Sequence, residues 1–247
     1  MTSDDKRVMS GFPSLDKITG GFRPGTVNVI AGRPGVGKTT FALNVAYNAA
    51  VKYNKRVLFY SLVESKTDIA NMVLLFAPKD PMDIAKSQCP LYVDDRNGSF
   101  EEVQVNLRED IEKVHPDLII VDYLELLTPV EKDYKRERAI VASFLRTLAT
   151  EYKVPVIVLK QLSRGFEFNS DKANLDEVTY YGHNTVVQES DVIIIIWWEG
   201  YTSKSREVHL ASSRNVHLDV AKNKFGDSDV EAVVKFERAK CKYYEEE

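Results

Sequence analysis

Cysteine is scarce in this chain: two in 247 residues, Cys89 and Cys241, with neither metal-ligand spacing nor a disulfide framework. That excludes a disulfide-stapled secreted scaffold and a zinc module, and it fits a reducing, cytoplasmic setting. An excess of basic charge is also lacking. The formal net charge is −4, so no overall positive field draws the molecule onto nucleic acid, and any such contact has to come from local clusters. Long hydrophobic runs are missing too. The longest, Val192–Trp198, has seven residues, against the roughly 20 that a membrane-crossing helix needs, so no membrane span is expected. The first residues, Met1-Thr2-Ser3-Asp4-Asp5, lack the basic-then-apolar pattern of a signal peptide. Twelve glycines and nine prolines are too few for a fibrous or low-complexity chain, and no internal repeat is visible. What is present is an ordinary globular composition, long enough for one large α/β domain with a sizeable core.

Short apolar, β-rich runs recur at Val27–Ala31, Val57–Leu62, Leu118–Asp122, Val154–Leu159 and Val192–Trp198. Several are apolar on nearly every residue, as expected of strands buried on both faces of a parallel sheet. Helical patterns lie between them. Thr39–Tyr53 is Ala-rich; Glu101–Val114 sets Val103, Leu107, Ile111 and Val114 on one stripe; Glu137–Tyr152 spaces Ile140, Phe144, Leu148 and Tyr152 four apart. Strands alternating with helices predict βαβ units. From Arg206 the pattern becomes short alternating strands, Arg206–Ala211, Val216–Lys222 and Val230–Phe236. Turns at Ser212-Ser213-Arg214-Asn215 and Phe225-Gly226-Asp227-Ser228 separate them, which predicts an antiparallel extension. The polar stretch from Arg164 to Glu189 reads as a long loop.

Gly32-Arg33-Pro34-Gly35-Val36-Gly37-Lys38-Thr39 matches the P-loop pattern G-x-x-x-x-G-K-[ST] without a mismatch, after a strand and before a helix. Its glycines let backbone N–H groups turn inward around phosphates, and the helix N-terminus adds its positive dipole end. Lys38 is expected to reach the β- and γ-phosphates of ATP and Thr39 to hold Mg²⁺, with Thr40 next in the cradle. Asp122 ends an apolar strand where a second magnesium-holding group belongs. Gln161 ends another strand, where an amide can sense the γ-phosphate. Glu64 lies just past Val57–Leu62.

With these landmarks in order, the chain resembles the RecA-like ATPase domain of DnaB-type hexameric replicative helicases, from about Gly11 to Phe236. The segments Gly11-Phe12-Pro13-Ser14-Leu15-Asp16 and Gly20-Gly21-Phe22-Arg23-Pro24-Gly25 lead into the P-loop as in that family. Leu118–Leu126 is similar to its Walker-B strand and Val154–Arg164 to the strand bearing its γ-phosphate glutamine. Val187–Asp191 is similar to its DNA-proximal motif and Val220–Gly226 to its trans-acting finger. The resemblance implies an α/β fold: a RecA-like P-loop core, a mostly parallel twisted sheet flanked by helices, and a C-terminal antiparallel extension. It implies a single domain over residues 1–247, with 1–10 as a tail and 206–247 as the hairpin extension. It also implies ATP and Mg²⁺, a hexamer of like chains, single-stranded DNA as the track, and primase or a helicase loader as partners. Glu64 would activate the attacking water, and Lys222 and Lys224 would complete a neighbouring subunit's site.

Three departures qualify the likeness. Val63 stands where the family usually carries its catalytic glutamate, and Glu64 sits one place later, closer to KaiC-like relatives. Lys224 replaces the usual arginine of the finger. Nothing here resembles the N-terminal helical domain that forms the family's collar and meets primase. DNA contacts are expected from two loops: Pro129–Arg138, with Lys135 and Arg136, and Arg164–Asn184, with Arg164, Tyr181, Gly182, His183 and Asn184. Two other readings stay open, a KaiC- or RadA-like ATPase of recombination or signalling, and a degenerate member that binds ATP only to assemble.

Overall fold

The computed structural model describes residues 6–77, 89–122, 134–162, 188–199, 201 and 213–246, the side chains of 134–138 and 213 excepted. Its elements run α1 (Pro13–Thr19), β1 (Val27–Gly32), α2 (Lys38–Tyr53), β2 (Val57–Ser61), α3 (Lys66–Phe76), β3 (Leu91–Asp94), α4 (Phe100–Val114) and β4 (Leu118–Asp122). They continue with α5 (Tyr134–Tyr152), β5 (Val156–Gln161), β6 (Val192–Trp197), β7 (Ser213–Asn223), β8 (Val230–Glu237), a 3₁₀ turn (Arg238–Lys240) and β9 (Lys242–Tyr244).

All nine described strands share one sheet in the order β3-β2-β4-β5-β1-β6-β7-β8-β9. Pairing is parallel from β3 to β6 and antiparallel from β6 to β9. Side chains alternate between two cores, as a pleated strand requires. Val27, Val29 and Ala31 of β1 join Leu58, Tyr60, Ile119, Val121, Val156 and Val158 against α4 and α5. Ile30 joins Val57, Phe59, Leu118, Ile120, Ile157 and Leu159 on the opposite face, against α1, α2 and α3. Covering both faces explains the nearly unbroken apolar runs. The extension differs: Val216, Leu218, Val220, Ala232 and Val234 face only the second core, while Val233 on the other side is 44% exposed.

The expected strands and helices that fall within the described residues are present, and the differences have local causes. β5 starts at Val156 rather than Val154, because the Val154 N–H closes the end of α5 on Ala149 O and Pro155 has no N–H to give. Ser213-Arg214-Asn215 is strand, not turn: β7 begins there, pairing Arg214 with Phe236. The Arg214 guanidinium lies 4.1 Å from the Trp198 ring centroid, a tertiary pairing that overrides local turn preference. Val8 pairs with Phe22 and is fully buried, so 6–10 is not a loose tail. Two helices, α1 and α3, and two edge strands, β3 and β9, add to the expected set. Arg206–Ala211 lies outside the described residues.

The lead-in to β1 is held by one carboxylate. Asp16, nearly buried, accepts the N–H groups of Ser10 at 2.8 Å and Gly11 at 3.1 Å. Gly11 has φ +82°, and a Cβ there would stand 2.5 Å from the Asn48 Cβ, so the close approach requires glycine.

A second acidic site ties β3 to α4. Arg96 donates to Asp94 at 2.7 Å and to Asp110 at 2.9 Å. Burial and the neighbouring Asp94 push the Asp110 carboxyl up to about 6, against the pull of Arg96. The folded chain therefore holds this proton more tightly than the unfolded one, and stability falls as pH rises from about 4 to about 6. Asp110→Asn keeps the neutral form at every pH. Thermal unfolding across that window should show the variant gaining on the wild type as pH rises, then a constant gap. A gap independent of pH overturns the assignment.

Candidate functional site

The parallel strands bring the expected residues together at their C-terminal edge. Gly32 pairs with Gln161 between β1 and β5, and Ser61 pairs with Asp122 between β2 and β4. Because β5 lies between β1 and β4, Gln161 stands between the P-loop and Asp122. Closing bonds continue the ladder past the strand ends: Leu162 N–H to Gly32 O at 2.9 Å and Leu62 N–H to Asp122 O at 2.6 Å.

The P-loop spans 32–39 between β1 and α2. Gly37 is the N-cap of α2 and offers no side-chain cap, whereas α3 and α4 are capped by Ser65 and Ser99. A glycine N-cap puts no capping side chain of its own over the first turn of α2, as an anion cradle needs. Gly35 has φ +73°, and a Cβ there would meet nothing within 4 Å among the described residues, which leaves that rim of the loop open on their side. Lys38 Nζ donates to Arg33 O at 3.0 Å, across the loop. Thr39 Oγ1 donates to Asp122 Oδ2 at 2.7 Å, and Asp122 is buried. A hydroxyl and a carboxylate side by side form a hard-oxygen donor pair that suits Mg²⁺ completed by phosphate oxygens and water. Among the described residues no cluster of three or more His, Cys, Asp or Glu forms a separate metal site. The residues present fit a magnesium–nucleotide complex.

Glu64 follows β2 in a tight turn. The buried Ser61 hydroxyl donates to Glu64 O at 2.8 Å and accepts Glu64 N–H at 3.0 Å. The cap of α3 is Ser65, which accepts Asp68 N–H, so the Glu64 carboxylate is not consumed as a helix cap. Val63 is 50% exposed and carries no acid–base group.

Lys222 and Lys224 are elsewhere. β7 runs antiparallel, so its C-terminal end lies beside the start of β6, where Ile193 pairs with Lys222. Lys222 Nζ donates to Gln188 O at 2.7 Å, and Lys224 Nζ lies 3.3 Å from Asp191 Oδ1. Asp191 in turn accepts the N–H of Val27, the first residue of β1. Lys224 is therefore level with Val27 while the P-loop begins at Gly32, about 17 Å farther along the strand. Lys135 and Arg136 are in the first turn of α5, so the expected loop at 129–138 ends in helix. Arg164, Tyr181, Gly182, His183 and Asn184 lie outside the described residues.

Two tyrosines that sequence reasoning missed brace the P-loop from the C-terminal part of the chain. The fully buried Tyr243 hydroxyl donates to Gly37 O at 3.3 Å. The Tyr201 hydroxyl donates to Pro34 O, and the Arg33 guanidinium lies 5.5 Å from the Tyr201 ring centroid. Asn44 of α2 locks β9 in place, accepting Tyr243 N–H and donating to Cys241 O, each at 3.0 Å. Lone tyrosines so far from the loop in sequence leave no pattern to find. Ser61 did leave one, the Ser-Leu pair ahead of the acidic position.

The family model of the DnaB-like helicase C terminal domain matches residues 7–80 and 81–245. The chain is 30% identical over 220 residues to the replicative DNA helicase DnaB of Leifsonia xyli subsp. xyli (strain CTCB07), covering 80% of this chain and 48% of that protein. It is 28% identical over 243 residues to the replicative DNA helicase DnaB of Geobacillus stearothermophilus, covering 89% and 52%. The chain thus spans about half the length of the curated relatives it matches. Among solved structures, a DnaB-like replicative helicase described with its interactions with primase superposes with a TM-score of 0.80 at 25% identity, over 97% of this chain and 63% of that one. A separately solved ATPase domain gives 0.81 at 24%, over 97% and 91%. A KaiC-like protein from Pyrococcus horikoshii OT3 gives 0.70 at 19%, over 96% and 97%. These last two are likenesses of fold alone.

The Gly37–Tyr243 contact makes its own prediction. Gly37 has φ +106°, and a Cβ there would stand 2.3 Å from the Tyr243 hydroxyl but 3.6 Å from the ring carbon bearing it. Gly37→Ala should cost about 2 kcal/mol or more, through strain and overlap together. Tyr243→Phe alone should cost about 1 kcal/mol for the lost hydrogen bond. Adding it to Gly37→Ala should recover part of the loss, since it removes the overlapping atom. Denaturant unfolding of the four chains checks this, and strictly additive losses would sink it.

Proposed function

This chain belongs to the DnaB-like helicase C-terminal domain family, and on that footing we propose that it is an ATP-dependent motor of DNA replication. In this reading it hydrolyses ATP at the subunit interfaces of a ring, a hexamer, and moves on single-stranded DNA in the cytoplasm, with primase or a loader among its partners. The observation that carries the reading is the separation of the finger from its own P-loop. Lys222 and Lys224 stand at the opposite edge of the sheet, beyond the reach of a lysine side chain. Cations there can serve phosphate chemistry only at another subunit's nucleotide.

The P-loop N–H groups and Lys38 bind and orient the phosphates. Thr39 and Asp122 would hold Mg²⁺, which when bound neutralises phosphate charge. Glu64, its main chain fixed by Ser61, takes the proton of the attacking water. As the water oxygen bonds to the γ-phosphorus, the bond to the bridging oxygen breaks and charge passes to ADP. Gln161 contacts the γ-phosphate, and the partner's finger cations stabilise the charge spread over the transferring group. Arg164, Tyr181, Gly182, His183 and Asn184, with Lys135 and Arg136, remain the proposed contacts to the strand. The position of Glu64, one place later than usual, favours a KaiC-like ATPase as the second reading.

The test is nucleotide turnover of the purified chain with and without single-stranded DNA, beside its native mass. DNA-stimulated turnover at a ring-sized mass supports the motor. Turnover indifferent to DNA favours the KaiC-like reading, and assembly without turnover favours a scaffold. In this assay Glu64→Gln should keep nucleotide binding and lower turnover by roughly 10²-fold or more. Near-normal turnover would assign the base to another residue.

The shared site has its own measurement. Lys224→Ala should leave ATP affinity nearly intact and reduce turnover, because the finger acts on transition-state charge. Mixed with Lys38→Ala, it should give activity well above the sum of the two variants, since one interface in the mixture joins an intact P-loop to an intact finger. Mixed rings that stay at that sum remove the trans assignment.

A further inference from the structure

Asp191 stands just before β6 and is 3% exposed. A carboxylate at that depth is tolerated only where donors replace its water. Three donors reach it from three parts of the chain. Val27 N–H, opening β1, meets Oδ2 at 3.0 Å; Arg146 Nη1, from α5, meets the same oxygen at 2.6 Å; Lys224 Nζ lies 3.3 Å from Oδ1. The main chain adds Lys224 N–H to Asp191 O at 2.9 Å. One residue thus grips Lys224 by both backbone and side chain. Arg146 is fixed in turn, donating to Gly25 O at 3.3 Å and to Glu189 O.

Burial pushes the Asp191 carboxyl up, but Arg146, the Val27 N–H and Lys224 outweigh it and hold it below the usual carboxylate range. Its one negative charge faces three cations, Arg146, Lys222 and Lys224. Removing it leaves these three cations at the root of the finger with Glu189 as a remaining anion beside Lys222. The Lys224 side chain is 66% exposed, so the ion pair adds little to stability. What it does is narrow the space a flexible ammonium explores, which matters where a charge must be in place before reaction.

We infer that Asp191 and Arg146 are positioning residues for the trans-acting finger, Asp191 setting where Lys224 stands and Arg146 setting Asp191. The inference rests on the reading of Lys222 and Lys224 as a finger, and it assigns a subunit's Asp191 to the turnover of its neighbour's nucleotide.

The experiment uses the full chain carrying Asp191→Asn. A second variant, Asp191→Asn/Arg146→Gln, removes anion and cation together and so avoids an unpaired buried charge. Thermal unfolding establishes which variants are folded. A folded variant should lose about tenfold or more in kcat, the scale of a misplaced catalytic group. Its nucleotide Kd should stay within about twofold, because the finger contributes in the transition state. Mixed with Lys38→Ala, either variant should recover activity above the sum of the two, since its P-loop is intact and the Lys38→Ala chain supplies a correctly set finger. The Lys224→Ala and Lys38→Ala mixture runs alongside. If that control recovers and the Asp191 mixture does not, Asp191 serves only its own subunit and the inference fails alone. If the control does not recover, the finger reading has failed first. Wild-type kcat in either folded variant also overturns the assignment.

Discussion

Gly32 pairs with Gln161, and Ser61 with Asp122, across the parallel half of the sheet, and that register decides what meets at its C-terminal edge. A slip of one residue would turn every side chain of a strand to the other face. The Val27, Val29 and Ala31 face would exchange cores, and Gln161 would leave its place between the P-loop and Asp122. The register is strongly specified because both faces are buried and each core accepts only its own set. It is also pinned at Gly32. A Cβ there would stand 2.8 Å from Ile196 and Val36 atoms, backbone among them, so β1 must end in the one residue that lets β6 pass.

The antiparallel extension carries consequences at both edges. At one end, β9 is fixed to α2 by Asn44 and sets the Tyr243 hydroxyl against Gly37 O. At the other, β7 ends in Lys222 and Asn223 beside the start of β6. β8 links the two by continuous pairing. A stiff antiparallel ribbon therefore joins the chain's own nucleotide cradle to the cations it is proposed to offer a neighbour.

Much of this was legible in the sequence, and the limits are physical. The P-loop, Asp122 and Gln161 could be found because each sits where a strand ends, and strands buried on both faces announce themselves by unbroken apolar runs. β3 was missed because a four-residue edge strand, Leu91–Asp94, whose one buried side chain is the carboxylate Asp94, has no such run. The start of β7 was misread because Ser-Ser-Arg-Asn favours a turn locally, while the stacking of Arg214 on Trp198 is known only to the folded chain. Tyr201 and Tyr243 reach the loop by hydroxyl bonds, and Tyr201 also by its ring against Arg33, contacts that no spacing rule connects to the loop. Asp191 was noted as part of a motif, but its role as the meeting point of β1, α5 and the finger needed the topology.

If Lys224 is the proposed finger, its being a lysine gives that meeting point a purpose. An arginine presents a rigid planar fork, so most of its geometry is built in, and it can bind phosphate oxygens two at a time. A lysine presents a point charge on a long flexible stem, and its position has to be supplied from outside. Asp191 supplies it here, through a side-chain contact to Nζ and a main-chain bond to the N–H of the same residue. The carboxylate is itself too buried to wander, held by Val27 at the root of the central strand and by Arg146 from the helix layer. In the proposed finger, the weaker intrinsic chemistry of a lysine is thus matched by a surrounding that limits its motion. The two belong to one device, because the looser the cation, the more its placement depends on the anion beneath it.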